Sequence, residues 1–107
     1  MKYTVYIVAD AEDDLLDIYR HIAWSDSLAK AERVIHKLQE LCNSLEELPD
    51  RGHVPPELEF ISVPDYREVH YKPYRVIYQI VGKDVYVHCV LDGRRDMQSL
   101  LQERLLR

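Results

Sequence analysis

The sequence predicts an α+β fold: an N-terminal strand, a helical hairpin packed on an antiparallel sheet, a three-stranded meander and a short C-terminal helix. Three observations lead there. Residues 66–96 alternate apolar and polar side chains through two turn signals, residues 11–48 carry two apolar stripes at helical spacing, and a short alternating run stands before them. Alternation with period two suits a half-buried strand, whereas spacings of three and four suit one face of a helix.

The first run is Lys2 to Val8, where Tyr3, Val5 and Ile7 alternate with Thr4, Tyr6 and Val8. Asp10 is then expected to cap a helix, with Glu12, Asp13 and Asp14 in its first turn, where the helix dipole favours negative charge. That placement explains the acidic cluster without a metal. Ala11, Leu15, Ile18 and Ile22 form the buried stripe, and Trp24-Ser25-Asp26 ends the helix. Asp26 or Ser27 can cap a second, longer helix whose stripe is Leu28, Ala31, Ile35, Leu38, Cys42 and Leu45, widened by Val34, Leu41 and Leu48. Pro49-Asp50-Arg51-Gly52 stops it, and a proline-bearing loop follows. The loop is apolar at Leu58, Phe60, Ile61 and Val63, so it is expected to pack at a sheet edge or under the helices.

Tyr74 to Val81 and Asp84 to Leu91 are rich in Val, Ile and Tyr, and Gly82-Lys83 between them is a two-residue hairpin signal. Antiparallel pairing about that turn sets Ile80 opposite Val85, Tyr78 opposite Val87, Val76 opposite Cys89 and Tyr74 opposite Leu91. This face is expected to pack on the helices. The reverse face, with Arg75 opposite Val90 and Ile77 opposite His88, is expected to be partly wet. Lys72-Pro73 marks a second turn and Tyr66 to Tyr71 a third strand, with His70 opposite Arg75 unless the awkward proline slips the register. Asp92-Gly93-Arg94-Arg95 turns the chain, Asp96 caps, and Met97, Leu100, Leu101 and Leu105 line a terminal helix.

Length bounds the rest. At 107 residues and 47% hydrophobic, the chain is expected to be one domain, residues 1–107, with a modest core. No run approaches the roughly 18 apolar residues of a membrane span, and the N-terminus leads into a strand rather than a signal peptide, so a cytoplasmic protein is expected. Cys42 and Cys89 fall at apolar positions without metal-ligand spacing and are expected to be reduced core residues. The net charge of −5 is uneven: residues 1–65 hold six Lys/Arg against fourteen Asp/Glu, and residues 66–107 hold eight against five. A basic surface on an acidic body is expected, and general RNA binding is disfavoured, since phosphate neutralisation dominates such affinity.

Over nearly its full length the chain resembles the RelE/ParE superfamily of bacterial type II toxins. The resemblance is carried by the helix from Asp13-Asp14-Leu15 to Ile22, by Leu48-Pro49-Asp50-Arg51-Gly52, by Tyr66-Arg67-Glu68, by Tyr74-Arg75-Val76-Ile77-Tyr78 and by Asp92-Gly93-Arg94-Arg95-Asp96. It implies a first strand inserted beside the meander, no cofactor, and a cognate antitoxin encoded next to the toxin that wraps and silences it in a hetero-oligomer. RelE-like members cleave mRNA on the ribosome; ParE-like members poison DNA gyrase and have no accepted catalytic residues.

Resemblance also orders the candidate residues. A RelE-type nuclease needs a group to activate the ribose hydroxyl, cations for phosphate and an acid for the leaving oxygen. Arg75 matches the family's strand arginine, Arg94 or Arg95 the basic position after the glycine turn, and Arg67 one strand lysine. The C-terminal tyrosine of RelE falls near Leu101, which does no proton chemistry, and its second strand lysine falls at an apolar or imidazole position. A gyrase inhibitor of ParE type is therefore the leading expectation, with plasmid stabilisation and growth inhibition as its context. The alternatives are a metal-independent ribosome-dependent endoribonuclease, with His70, Arg75, His88 and Arg95 as its catalytic set, and a silent antitoxin-binding module. His70 and His88 are either proton-transfer groups or partly buried sheet histidines. His21, His36 and His53 are read as solvated. Arg67, Arg75, Arg94, Arg95, Met97 and Leu101 are the candidate contacts for target or antitoxin, although Arg94 and Arg95 can equally pair with Asp92, Asp96 or Glu68. The antitoxin is expected along the sheet edge and the loop near Phe60.

Overall fold

The computed structural model describes residues 2–59 and 66–106, so the expectations for Phe60, Ile61, Val63 and Pro64 lie outside the described residues. Chain order is β1 (Thr4–Ile7), α1 (Ala9–Ser25), α2 (Leu28–Asn43), three short 3-10 turns between Ser44 and Leu58, β2 (Tyr66–Tyr71), β3 (Tyr74–Val81), β4 (Asp84–Asp92) and α3 (Met97–Leu105). The strands lie in the order β1-β4-β3-β2. Because β1 runs parallel to β4, pairing Thr4 with Asp84 and Ile7 with Val87, the sheet is mixed rather than wholly antiparallel. The connection from β1 to β4 runs through the α1/α2 hairpin and then β2 and β3, far longer than the crossover a parallel pair requires.

Helix starts differ from the sequence expectation at one end. Val8, not Asp10, is the N-cap of α1, and it offers no side-chain cap; Asp10 and Glu12 already stand in the first turn. Ser27 caps α2, its hydroxyl accepting from the Lys30 amide at 3.1 Å, and Asp96 caps α3 by accepting from the Ser99 amide. Ala11, Leu15 and Ile22 of α1 and Ala31, Val34, Leu38 and Cys42 of α2 are buried against Val76, Tyr78, Val85, Val87 and Val90. Fully burying a leucine such as Leu38 stabilises the fold by about 1.5–3 kcal/mol. Leu28 and Leu48, expected in the α2 stripe, are exposed instead; the helix ends at Asn43 and Leu48 turns into left-handed geometry, φ 49°.

The β3/β4 hairpin turns at Gly82-Lys83, where Gly82 has φ 62°, a conformation that side chains other than glycine's rarely adopt. Near the turn the register is the expected one, Ile80 with Val85 and Tyr78 with Val87. Farther out a bulge intervenes, so Ile77 pairs with Cys89, Val76 with Val90 and Tyr74 with Asp92. One extra residue on β4, His88, shifts every later side chain to the opposite face. Two corrections follow. Cys89 and Leu91 leave the helical core and Val90 takes their place, and the reverse face, partly exposed at Gln79, Tyr86 and His88 as expected, carries a second core beyond the bulge. That core is Ile77, Cys89 and Leu91 under Met97 and Leu101 of α3, closed at the side by Leu58. Both cysteines are buried thiols, and burial pushes the Cys42 thiol up to about 11. At the second turn no slip occurs: β2 and β3 pair His70 with Arg75, and the Lys72–Pro73 bond is cis.

Candidate functional site

The α3-covered face also carries the densest polar cluster among the described residues. Glu68 pairs across β2/β3 with Ile77, and His70 with Arg75, which sets Glu68, His70 and Arg75 on one face. A loop residue joins them: His53 and Glu68 exchange backbone hydrogen bonds of 3.3 and 2.8 Å, an isolated antiparallel bridge on the outer edge of β2. Gly52 makes this approach possible. A Cβ there would lie 2.3 Å from the Tyr78 hydroxyl and 2.7 Å from the Glu68 carbonyl, so only glycine fits. Tyr78, buried beneath, donates its hydroxyl to the Pro49 carbonyl.

Glu68 is 1% exposed and accepts from every side. Arg75 Nε donates to its Oε1 at 2.5 Å, His53 Nε2 lies 2.9 Å from its Oε2, and His70 Nε2 lies 3.2 Å from Oε1. Arg75 in turn forks onto Glu57, with Nη1 and Nη2 at 2.9 and 2.7 Å from the two carboxylate oxygens. The Arg75 bond holds the Glu57 carboxyl below its ordinary range, and Glu57 in turn raises the Arg75 guanidinium. The His53 and His70 rings meet edge to face, centroids 5.2 Å apart. The sequence singled out no metal ligands, yet donor atoms of His53, Glu68 and His70 lie within 4.8 Å of one another.

Arg75 is therefore not the solvent-facing cation expected from the sequence; its side chain is only 13% exposed and fully engaged by carboxylates. His53, read as solvated, leans on Glu68. Arg67 donates to the Asp50 and Gly52 carbonyls at 3.2 and 2.8 Å and so holds the loop to β2. Arg94 forms a two-point pair with Asp92, at 3.0 and 2.6 Å. Arg95 is exposed beside it and lines a cleft of about 280 Å³ with Asp17, His21 and Tyr74. Met97 and Leu101 are buried in the second core. His88 stands apart from His70, half-buried in mid-sheet, with Nε2 3.3 Å from Gln79 Oε1 and its ring edge-on to Tyr66. Burial, helped by the Arg104 charge, lowers its pKa.

A second ion pair escaped the sequence altogether. Arg104 forks onto Asp14 at 2.9 and 3.0 Å and donates to the His88 carbonyl at 3.0 Å, while Asp14 accepts the Val90 amide at 2.9 Å. The pair ties α1 to α3 through the backbone of β4 beyond the end of β1. Glu68 and His70 stand two apart on a strand and share a face, a signal present in the sequence; Asp14–Arg104 and His53–Glu68 have no local signal.

A mixed four-stranded sheet, with a helical hairpin on one face and a short C-terminal helix on the other, is an architecture shared with solved toxin structures. A chain of the P. aeruginosa chromosomal ParDE toxin–antitoxin system superposes with TM-score 0.69 at 20% identity, covering 83% of this chain and 94% of that one. The RelBE2 toxin–antitoxin complex of Mycobacterium tuberculosis gives 0.64 at 19% identity, over 86% and 92%. A mutant of E. coli toxin RelE in the free state gives 0.60 at 18%, over 100% and 98%. In sequence, toxin ParE3 of Caulobacter vibrioides is 25% identical over 95 residues, 85% of this chain and 87% of ParE3. The family profile described as the ParE toxin of type II toxin-antitoxin system, parDE, matches residues 5–97. The chain belongs to the ParE toxin family. No helix among the described residues is long and apolar enough to cross a membrane.

Proposed function

We propose that this chain is the toxin of a two-gene module, that it inhibits DNA gyrase, and that a cognate antitoxin encoded beside it neutralises it in a hetero-oligomer. Membership of the ParE family supports the toxin role. The observation that favours gyrase over the ribosome is the state of Arg75. In the nuclease alternative this cation holds phosphate, but here Glu57 and Glu68 occupy it, and carboxylates at that position repel a phosphate backbone. His88, bonded to Gln79 and lowered by burial, is likewise held within the sheet. Arg94 and Arg95 then supply the exposed basic contact surface, with Arg67 at the sheet edge and Met97 and Leu101 as the buried anchors of the helix behind it.

Gyrase supercoiling and cleavage of ribosome-bound mRNA, assayed side by side with the full-length chain, test the proposal. Supercoiling should be inhibited and mRNA left intact, with His88→Ala retaining inhibition and Arg94→Ala/Arg95→Ala losing it while remaining folded. Cleavage of mRNA by the wild type, falling about 10² to 10⁴-fold in His70→Ala or His88→Ala, would instead establish a nuclease.

A further inference from the structure

We propose that His53, Glu68 and His70 form a binding site for one zinc-class divalent ion, which clamps the loop at His53 onto the edge strand β2. Two imidazoles and one carboxylate are the ligand set of an open zinc site, three protein donors with the fourth position left to water or to a partner's side chain. Imidazole donors select zinc and its neighbours over magnesium or calcium, which take oxygen ligands. Tetrahedral bonds near 2.0–2.1 Å place ligand atoms about 3.4 Å apart. His53 Nε2 is already 2.9 Å from Glu68 Oε2 and His70 Nε2 is 3.2 Å from Oε1, one histidine on each carboxylate oxygen, and one donor atom from each of the three residues lies within 4.8 Å of the others. The adjustment falls on the histidines, whose side chains are 60% and 41% exposed, while Glu68 stays fixed at 1%.

The surroundings fit a cation. Metal-ligating carboxylates need partners of their own, and Glu68 has one in Arg75 Nε, itself fixed by Glu57. Glu57, Glu68 and Arg75 together leave one uncompensated negative charge, centred on a buried carboxylate. A cation bound at the two histidines would balance it. Access runs through a cleft lined by Leu41, Arg51, Gly52 and Val69. Arg51 is turned from the site and donates to the Ser44 and Glu47 carbonyls and to the Ser44 hydroxyl. The competing reading of the same geometry is a hydrogen-bonded His53–Glu68–His70 cluster that holds no metal.

Calorimetric titration of the full-length chain with zinc, and its visible spectrum with cobalt(II), separate the two. Zinc should bind one ion per chain and raise the unfolding temperature, and cobalt should give the intense spectrum of a four-coordinate site. His53→Ala and His70→Ala should each weaken binding by more than about 100-fold, since even an outer partner of a metal ligand is worth about 10 to 100-fold. His36→Ala, which removes an exposed histidine paired only with Glu40, should bind as the wild type does. Should either site variant fail to fold, X-ray absorption on the zinc-loaded wild type decides, with two imidazole nitrogens and one carboxylate oxygen expected. Zinc uptake that is equal in the wild type and both site variants, no uptake at one equivalent, or a zinc shell without two imidazoles would overturn the site.

Discussion

The two faces of the sheet are held in different ways. The α1/α2 face is a continuous apolar layer in which the buried Tyr78 hydroxyl has the Pro49 carbonyl as its partner. The α3 face has a smaller apolar core bordered by the Glu57–Arg75–Glu68 chain and the Asp14–Arg104 pair. Stability on the first scales with volume filled, because lost contacts and cavities dominate there. On the second it depends on each charge keeping its partner, because an ion left alone in low dielectric costs more than the pair contributed.

The largest effect should come from the second face. Arg75→Met leaves Glu68 and Glu57 without their cation and should cost about 3–5 kcal/mol in denaturant unfolding. A loss below about 1 kcal/mol would mean that the cluster is a surface feature and the contrast is false. Leu38→Ala, at a fully buried position of the first face, should cost about 2–5 kcal/mol, with no change in the pH dependence of stability. Asp14→Asn breaks a two-point charged pair and should cost about 1.5–3 kcal/mol, with increased hydrogen exchange at the Val90 amide.

Smaller effects should follow pH. Folding lowers the His88 pKa below its ordinary 6.5, so the unfolded chain takes up the proton first. That stability is complete above about pH 6.5 and declines as pH falls from there through the lower folded value, a loss that His88→Gln should abolish. Glu57 is also lowered, from 4.5, so its contribution is present above that value and is lost on further acidification through the folded one. Melting curves across pH 3–8 should therefore decline in both ranges, with Asp92 and Asp96, also lowered, adding to the acid one. Trp24→Ser, at a side chain 94% exposed, should shift stability by less than about 0.5 kcal/mol.

The helical face was legible because its information is periodic. Ala11, Leu15 and Ile22, and Ala31, Leu38 and Cys42, report burial through spacing alone, and Gly82-Lys83 announces its hairpin. The opposite face was misjudged because one unpaired residue, His88, carries no compositional mark, yet its insertion exchanges the destinations of Cys89, Val90 and Leu91. The candidate site was visible only in fragments. His70 opposite Arg75 followed from counting back from the turn, but His53, Glu57 and Glu68 meet because a glycine lets a loop cross the sheet edge, a contact between segments with no shared period. Arg75 itself was recognised, and its exposure was misread, because two carboxylates neutralise it only in three dimensions.

The parallel pairing of β1 with β4 also bears on when this chain can complete its fold. Thr4 finds its partner only at Asp84, so β1 waits for β4, the last strand of the sheet in chain order, and closing so long a loop is entropically costly before any contact rewards it. Asp14 waits longer still, for Arg104. A nascent chain thus holds an uncompleted sheet until β4 has been made, and for that interval the apolar face of the α1/α2 hairpin lacks the cover that β4 provides. The delay separates the making of α1 and α2 from the closing of the sheet that covers them.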